Sequence, residues 1–293
     1  MSTPQATGIA SLAKLRLLLG AVRFEHSVFA LPFAYLGMVL AARGVPTWWQ
    51  LLWVTVAMVA ARTLAMSANR LIDVRLDAMN ARTTRRALVT GALKWREMLA
   101  LAAVSLAVFF AAAAMLNPLA LLLAPAAAVV VVGYSYVKRF SWTTHFVLGW
   151  ADAIAPAGGW VAVSGTLPWE TVLLAFAVAM WVGGFDVFYA CQDIDFDRAH
   201  GVHSIPQRFG AVAAFWVARA MHLSTSLALL ALGFWLGLAF PYYIGWALAS
   251  ALLVYEHVII SPKDLSRLNM AFFNVNGYIA IIVLAFAVAS LYV

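Results

Sequence analysis

Apolar runs of about 20 residues alternate with short polar breaks from one end of the chain to the other. Nine such runs fall at about 24–42, 48–68, 97–116, 118–137, 145–165, 168–190, 212–236, 240–260 and 270–292. A bilayer core about 30 Å thick is crossed by roughly 20 apolar residues in a helix. The pattern therefore predicts an all-α membrane protein of nine transmembrane helices, with loops too short for a second domain, so 1–293 reads as one domain. Composition agrees, with 65% hydrophobic and 11% charged residues, against about 45–50% and about 25% in soluble domains. The opening "MSTPQATGIASLAKLRLLLG" lacks the cleavage pattern of a secretory signal. Residues 11–21 read instead as an interfacial amphipathic segment, with Lys14 and Arg16 at the surface.

Charge orients the spans. Of 19 Lys and Arg, 16 fall on one side: Lys14, Arg16 and Arg23, then seven between Arg70 and Arg96, and pairs after the fourth, sixth and eighth runs. The positive-inside rule then places the N-terminus in the cytoplasm and the C-terminus outside a cell (inner) membrane. The basic face suits anionic lipid headgroups or anionic substrates. Nucleic acid is not an expected partner, because no basic domain stands clear of the bilayer. A single cysteine, Cys191, excludes an internal disulfide and a cysteine-rich metal site.

Acids are scarce, and half of the twelve lie in two stretches, "ANRLIDVRLDAMNARTTRR" and "DVFYACQDIDFDRAH". These are Asp73, Asp77, Asp186, Asp193, Asp195 and Asp197. Both stretches follow an even-numbered run, so both fall at the cytoplasmic edge. Asp73 and Asp77 are four residues apart, as are Asp193 and Asp197, and each pair projects from one face of a helix. The offset between the pairs is 120 residues, which suggests an internal repeat of about four helices. Like charges so placed repel unless a cation sits among them. Oxygen-only ligands beside arginines suit Mg²⁺ bound together with a phosphate group. Asn69 adds a neutral oxygen and an N–H donor to the same face.

With these residues in hand, the chain resembles the UbiA superfamily of membrane prenyltransferases. "NRLIDVRLD" is similar to its first aspartate-rich motif, NDxxDxxxD, and "DVFYACQDIDFD" to its second, DxxYAxxDxxxD. "ARTTRRALVTG" resembles the family's basic loop and "YSYVKRF" its Tyr-x-x-x-Lys-Arg segment. "FEHSVFALPFAYLG" and "GVHSIPQRFG" look closest to the branch near 4-hydroxybenzoate polyprenyltransferases that serves the futalosine route to menaquinone. Two departures stand out. Arg70 occupies the place of the first Asp of NDxxD, and "RRALVTG" replaces the usual Arg-Pro-Leu-Pro-Ser-Gly.

The resemblance implies a helical bundle around a central cavity with a cytoplasmic cap, open sideways to lipid for a prenyl tail. It implies Mg²⁺ held by Asp73, Asp77, Asp193 and Asp197, and a diphosphate met by Asn69, Arg82, Arg86 and Lys138. Tyr134 and Tyr189 would flank the allylic cation, and Asp186 would orient or deprotonate the acceptor. The implied substrates are a polyprenyl diphosphate and an aromatic acid, 4-hydroxybenzoate or a dihydroxynaphthoate, in ubiquinone or menaquinone synthesis. A transporter with a cation site at the cytoplasmic edge, or a superfamily enzyme with another acceptor, is the alternative. Among other intramembrane polar groups, Asp152 reads as acceptor-side or as a helix-to-helix bond, and Arg62 as snorkelling or internally paired. Glu256, His257, Asn274 and Asn276 read as interhelical or rim groups, and His200 and His203 as solvent-exposed. Pro156, Gly158 and Gly159 mark a bent or closely packed helix, and Gly183 and Gly184 a close helix approach.

Overall fold

The structure, a computed structural model, describes residues 14, 16–22 and 27–293. Arg23 and residues 11–13 and 15 of the expected amphipathic segment lie outside them; the described part of that segment is helical at 14 and over 16–21. The helices are α1 (Ser27–Ala42), α2 (Trp48–Met79), α3 (Trp95–Leu116), α4 (Pro118–Val137), α5 (Thr144–Ser164), α6 (Trp169–Ala190), α7 (Ile194–His200), α8 (Ile205–Leu236) and α9 (Phe240–Ile259). A final helix, α10 (Asn276–Ala289), follows a π-helical turn over Ala271–Val275.

Local chemistry sets the ends. Thr47 and Gln50 form a reciprocal capping box at the start of α2. Asn117 caps α4, accepting from the Ala120 N–H at 2.9 Å, with Pro118 at the first helical position. Gly165 closes α5 with φ 65°. α8 is two helical pieces joined at Gly210, whose φ of 82° and ψ of 164° break the ladder.

Among the described residues, six helices are long and apolar enough to cross a membrane: Trp48–Met79, Trp95–Leu116, Pro118–Val137, Thr144–Ser164, Trp169–His200 and Ile205–Leu236. The expectation of nine is thus met by six on length and composition. The apolar parts of α1 and α10 are shorter than a span, and the tyrosines, Glu256 and His257 lower the hydropathy of α9. α2 also runs eleven residues past the expected end of its apolar run, which carries the first aspartate stretch on the helix itself.

α1 packs on α5, α5 on α6, α6 on α8, α8 on α9, α9 on α10, and α10 back on α1. Of the remaining four, α2, α3 and α4 pack together and join this circuit through α1 and α5, and the short α7 packs on α8. α6 is buried on nearly all sides, with Leu174, Ala177, Ala179 and Val187 at most 1% exposed, as an all-round apolar helix requires.

Between helices in lipid the hydrophobic drive is absent, so close van der Waals contact must hold them. Glycine supplies it. A Cβ on Gly159 would lie 2.1 Å from the Ala34 carbonyl oxygen, and one on Gly37 would lie 2.0 Å from that of Pro156, so α1 and α5 meet backbone to backbone. Gly149 meets Ala179 of α6 in the same way. Gly183 and Gly184 face Met221 and His222 of α8, whereas Gly158 faces open space.

Gly159→Ala is therefore expected to lower stability in detergent by about 1–3 kcal/mol through overpacking, while Gly158→Ala stays within about 0.5 kcal/mol of the parent. Thermal unfolding of the two purified variants, read by tryptophan fluorescence, checks the contrast.

Candidate active site

The last turns of α2 and the connection from α6 to α8 meet at one end of the bundle. Asn69, Asp73 and Asp77 follow one another at four-residue steps on α2, so they share a face. Asp193 does not continue α6: it ends a 3₁₀ turn, Cys191–Asp193, and Asp197 lies on the short α7. The second pair is thus presented by a bent connection, not by one straight helix. Even so, Asn69, Asp73, Asp77, Arg82, Arg86, Tyr134, Lys138, Asp186, Tyr189, Asp193 and Asp197 all line a single cavity of about 310 Å³.

Each carboxylate has its own partner. Asp73, 1% exposed, takes Lys138 Nζ at 2.5 Å, Arg139 at 3.0 Å and the Asn69 amide at 2.9 Å. Arg86 donates to Asp77 at 2.5 Å. Arg82 grips both oxygens of Asp193, at 3.2 and 2.5 Å, while its remaining terminal nitrogen donates to the Tyr189 hydroxyl at 3.1 Å. Burial opposes the charge of Arg82, but the hydrogen bond and charge of Asp193 outweigh it and raise its pKa. Asp197 accepts from the Ser204 hydroxyl at 2.8 Å.

Asp186 meets a residue that the sequence pattern did not single out. His145, at the start of α5 and 2% exposed, contacts Asp186 through Nδ1 at 2.6 Å. Its Nε2 accepts the Ile205 backbone N–H at 3.3 Å. A nitrogen that accepts carries no proton, so the proton sits on Nδ1 and is donated to Asp186. A lone histidine inside an apolar run was the available signal. Arg139, Asn80 (to Asp193 at 3.0 Å) and Ser135 (to Asn69 at 3.2 Å) were also missed. His203 is half-buried and lines the cavity, contrary to the expectation of exposure, because its backbone N–H is tied to the Lys138 carbonyl at 2.7 Å. His200 is exposed.

Deeper in the bundle Arg62 lines the cavity and pairs with Asp152 at 3.3 Å, joining α2 to α5. Eleven residues of helix separate it from Asp73, about 16 Å along the axis. Arg70 is buried and donates to the Ala21 carbonyl at 3.1 Å. Buried Glu256 and His222 form a separate polar group with half-buried His257, with a 3.1 Å contact between the two imidazoles. Asn276 is buried, and Asn274 is exposed.

Among the described residues no three His, Cys, Asp or Glu side chains gather closely enough to cage a metal ion. Mg²⁺ needs no such cage, since it takes one or two carboxylates and fills its shell with water and substrate phosphate oxygens. Carboxylates spread around one polar cavity and faced by basic groups are such a donor set.

A model of the UbiA prenyltransferase family matches residues 30–290. The chain is 33% identical over 237 residues to the 4-hydroxybenzoate octaprenyltransferase of Aeromonas salmonicida (strain A449), covering 81% of this chain and 82% of that protein. A UbiA homologue from Aeropyrum pernix K1, solved in its apo form, superposes with TM-score 0.83 at 35% identity over 91% of this chain and 98% of that one. A UbiA homologue from Archaeoglobus fulgidus bound to GPP and Mg²⁺ shares the fold, with TM-score 0.69 at 19% identity over 94% and 100%.

Lys138→Met is expected to cost about 1–3 kcal/mol, since it takes one of three partners from a buried carboxylate. Adding Asp73→Asn should recover part of the loss, which a double-mutant cycle of thermal unfolding in detergent measures.

Proposed function

Because the chain belongs to the UbiA prenyltransferase family, we propose that it moves a polyprenyl group from a polyprenyl diphosphate to an aromatic acid in quinone synthesis, with Mg²⁺. 4-Hydroxybenzoate is the first acceptor and a dihydroxynaphthoate the second. The observation that carries this reading is the convergence of both aspartate stretches, with Lys138, Arg82 and Arg86, on one cavity. The protein is read as integral to the inner membrane, a single domain over 1–293 crossing nine times. In that reading the cavity and N-terminus face the cytoplasm and the C-terminus lies outside. The carrier alternative has no support in a family of prenyltransferases.

The diphosphate binds by exchange. Lys138, Arg82 and Arg86 turn from carboxylates to phosphate oxygens, with the Asn69 amide as a further donor, and Asp73, Asp77, Asp193 and Asp197 are left to hold Mg²⁺. Mg²⁺, when bound, neutralises charge on the leaving diphosphate. Once turned, the basic side chains stay on the phosphate oxygens, where negative charge grows as the diphosphate leaves. Tyr134 and Tyr189 line the same cavity and offer π-faces to an allylic cation, each worth roughly 0.5–2 kcal/mol.

The acceptor enters deeper. Arg62, held on one side by Asp152, presents a guanidinium that matches the acid's carboxylate. Asp186, steadied by the Nδ1–H of His145, keeps its other oxygen for the phenol or the ring proton.

Membranes or nanodiscs holding the protein should convert polyprenyl diphosphate and 4-hydroxybenzoate to a prenylated acid only with Mg²⁺, and EDTA should abolish the product. Asp73→Ala and Asp193→Ala should each cut turnover by about 10²–10³-fold at unchanged expression. Arg62→Leu should raise KM for the acceptor about 10-fold or more while leaving KM for the donor unchanged. Product mass with both acceptors offered together identifies the ring, and no product with either would overturn the reading.

A further inference from the structure

A second cavity opens beside the first, between the helical stretch 16–21 and the start of the loop after α2, with a volume of about 810 Å³. Arg16, Arg70, Arg82, Arg85 and Arg86 line it, and no Asp or Glu does so among the described residues. Arg70, Arg82, Arg86 and Tyr189 line both cavities, so the two share a wall. In the first cavity the shared arginines are answered by carboxylates, Arg86 by Asp77 and Arg82 by Asp193. In the second, Arg16 and Arg85 are exposed, and among the described residues neither is in an ion pair. Arg70 is fixed to the Ala21 carbonyl of the stretch that forms the opposite wall. A carboxylate at position 70 would give this wall a negative group; arginine gives it a positive one.

Arg16 and Arg85 bring two exposed guanidinium groups to one cavity beside three that are already bonded, and like charges so placed repel unless an anion lies among them. Their planar forks match phosphate oxygens, two donors at a time. A small polyanion therefore fits better than a single carboxylate.

We propose that this cavity is a separate diphosphate-anion site that takes the inorganic diphosphate released by transfer. The source of the anion rests on the function proposed above. In that reaction the allylic C–O bond breaks with its electron pair going to the diphosphate oxygen. A bond from the acceptor ring to the allylic carbon forms, and the ring proton passes to Asp186. The diphosphate is then held by Arg82 and Arg86 on the shared wall, and Arg16 and Arg85 receive it on the far side. The prenylated product, being apolar, leaves toward lipid, so the two products part in different directions.

The test uses the full chain in phosphatidylcholine nanodiscs, with EDTA present so that no metal occupies the aspartate side. Radiolabelled pyrophosphate is expected to bind the wild type, and to bind Asp193→Asn at least as tightly, because that variant loosens the hold on Arg82. Arg16→Gln/Arg85→Gln should weaken that binding about tenfold, and Arg16→Lys/Arg85→Lys should recover most of it. In turnover with Mg²⁺, the inhibition constant of pyrophosphate should rise about tenfold in the Gln variant, with the single-turnover rate unchanged. Equal pyrophosphate binding by wild type and Gln variant overturns the site. So does co-purified or titrated phosphatidylglycerol, instead of pyrophosphate, following the two arginines, which would make the cavity a lipid-headgroup site. Failure of prenyl transfer in the wild type overturns the function and the source of the anion, but leaves the EDTA binding comparison standing as evidence for the cavity.

Discussion

An ionised carboxylate removed from water must be met by opposite charge or by hydrogen-bond donors. The bundle end is organised around that constraint. Asp73 is almost wholly enclosed and draws Lys138 and Arg139 from the end of α4 to the end of α2. Asp193 draws Arg82 and Asn80 from the loop after α2 to the turn after α6. Asp197 takes the hydroxyl of Ser204, which in turn caps α8 by accepting the Gln207 N–H. The loops that cover the cavity are thus pinned by the same side chains that give it chemical character. Stability and chemistry draw on one set of charges, and a ligand at this place competes with the fold's own contacts.

Packing elsewhere supplies what the polar end lacks. Backbone contacts at Gly37, Gly159 and Gly149 lock α1, α5 and α6 together. α5 carries His145 at one end and Asp152 farther along, while α6 carries Asp186 and Tyr189. Fixing α5 against α6 therefore fixes the imidazole against the carboxylate it orients. The His145 ring also receives the first backbone N–H of α8, so three helices are referenced to one side chain.

Much of this was legible in the sequence because scarcity is informative in an apolar chain. With only twelve acids, two four-residue spacings at matched depth could be read directly, the family resemblance supplied the basic and aromatic side chains around them, and all eleven line one cavity. Span counting was less faithful. A helix does not stop where apolarity stops, so α2 extends through its aspartates, while α1 and α10 fall short of a full span. The turn that separates Asp193 from α6 leaves no trace in spacing, since four residues apart looks the same on one helix or across a bend. His145, Arg139 and the Arg62–Asp152 pair are partners across helices, and partner choice depends on which helices are neighbours. Spacing along one chain does not carry that information; Gly158 and Gly159, adjacent yet facing open space and a backbone oxygen respectively, make the same point for packing.

One detail of the cavity has a temporal side. A single guanidinium, that of Arg82, clasps both oxygens of Asp193 and also tethers the phenol of Tyr189. Any incoming group that captures this guanidinium takes it from the acid and from the ring in the same event. The two moieties cannot be unlatched independently by that route, so a polyanion arriving there acts as a key for both. Acid and phenol thus share one latch, and a change at that guanidinium reaches both at once.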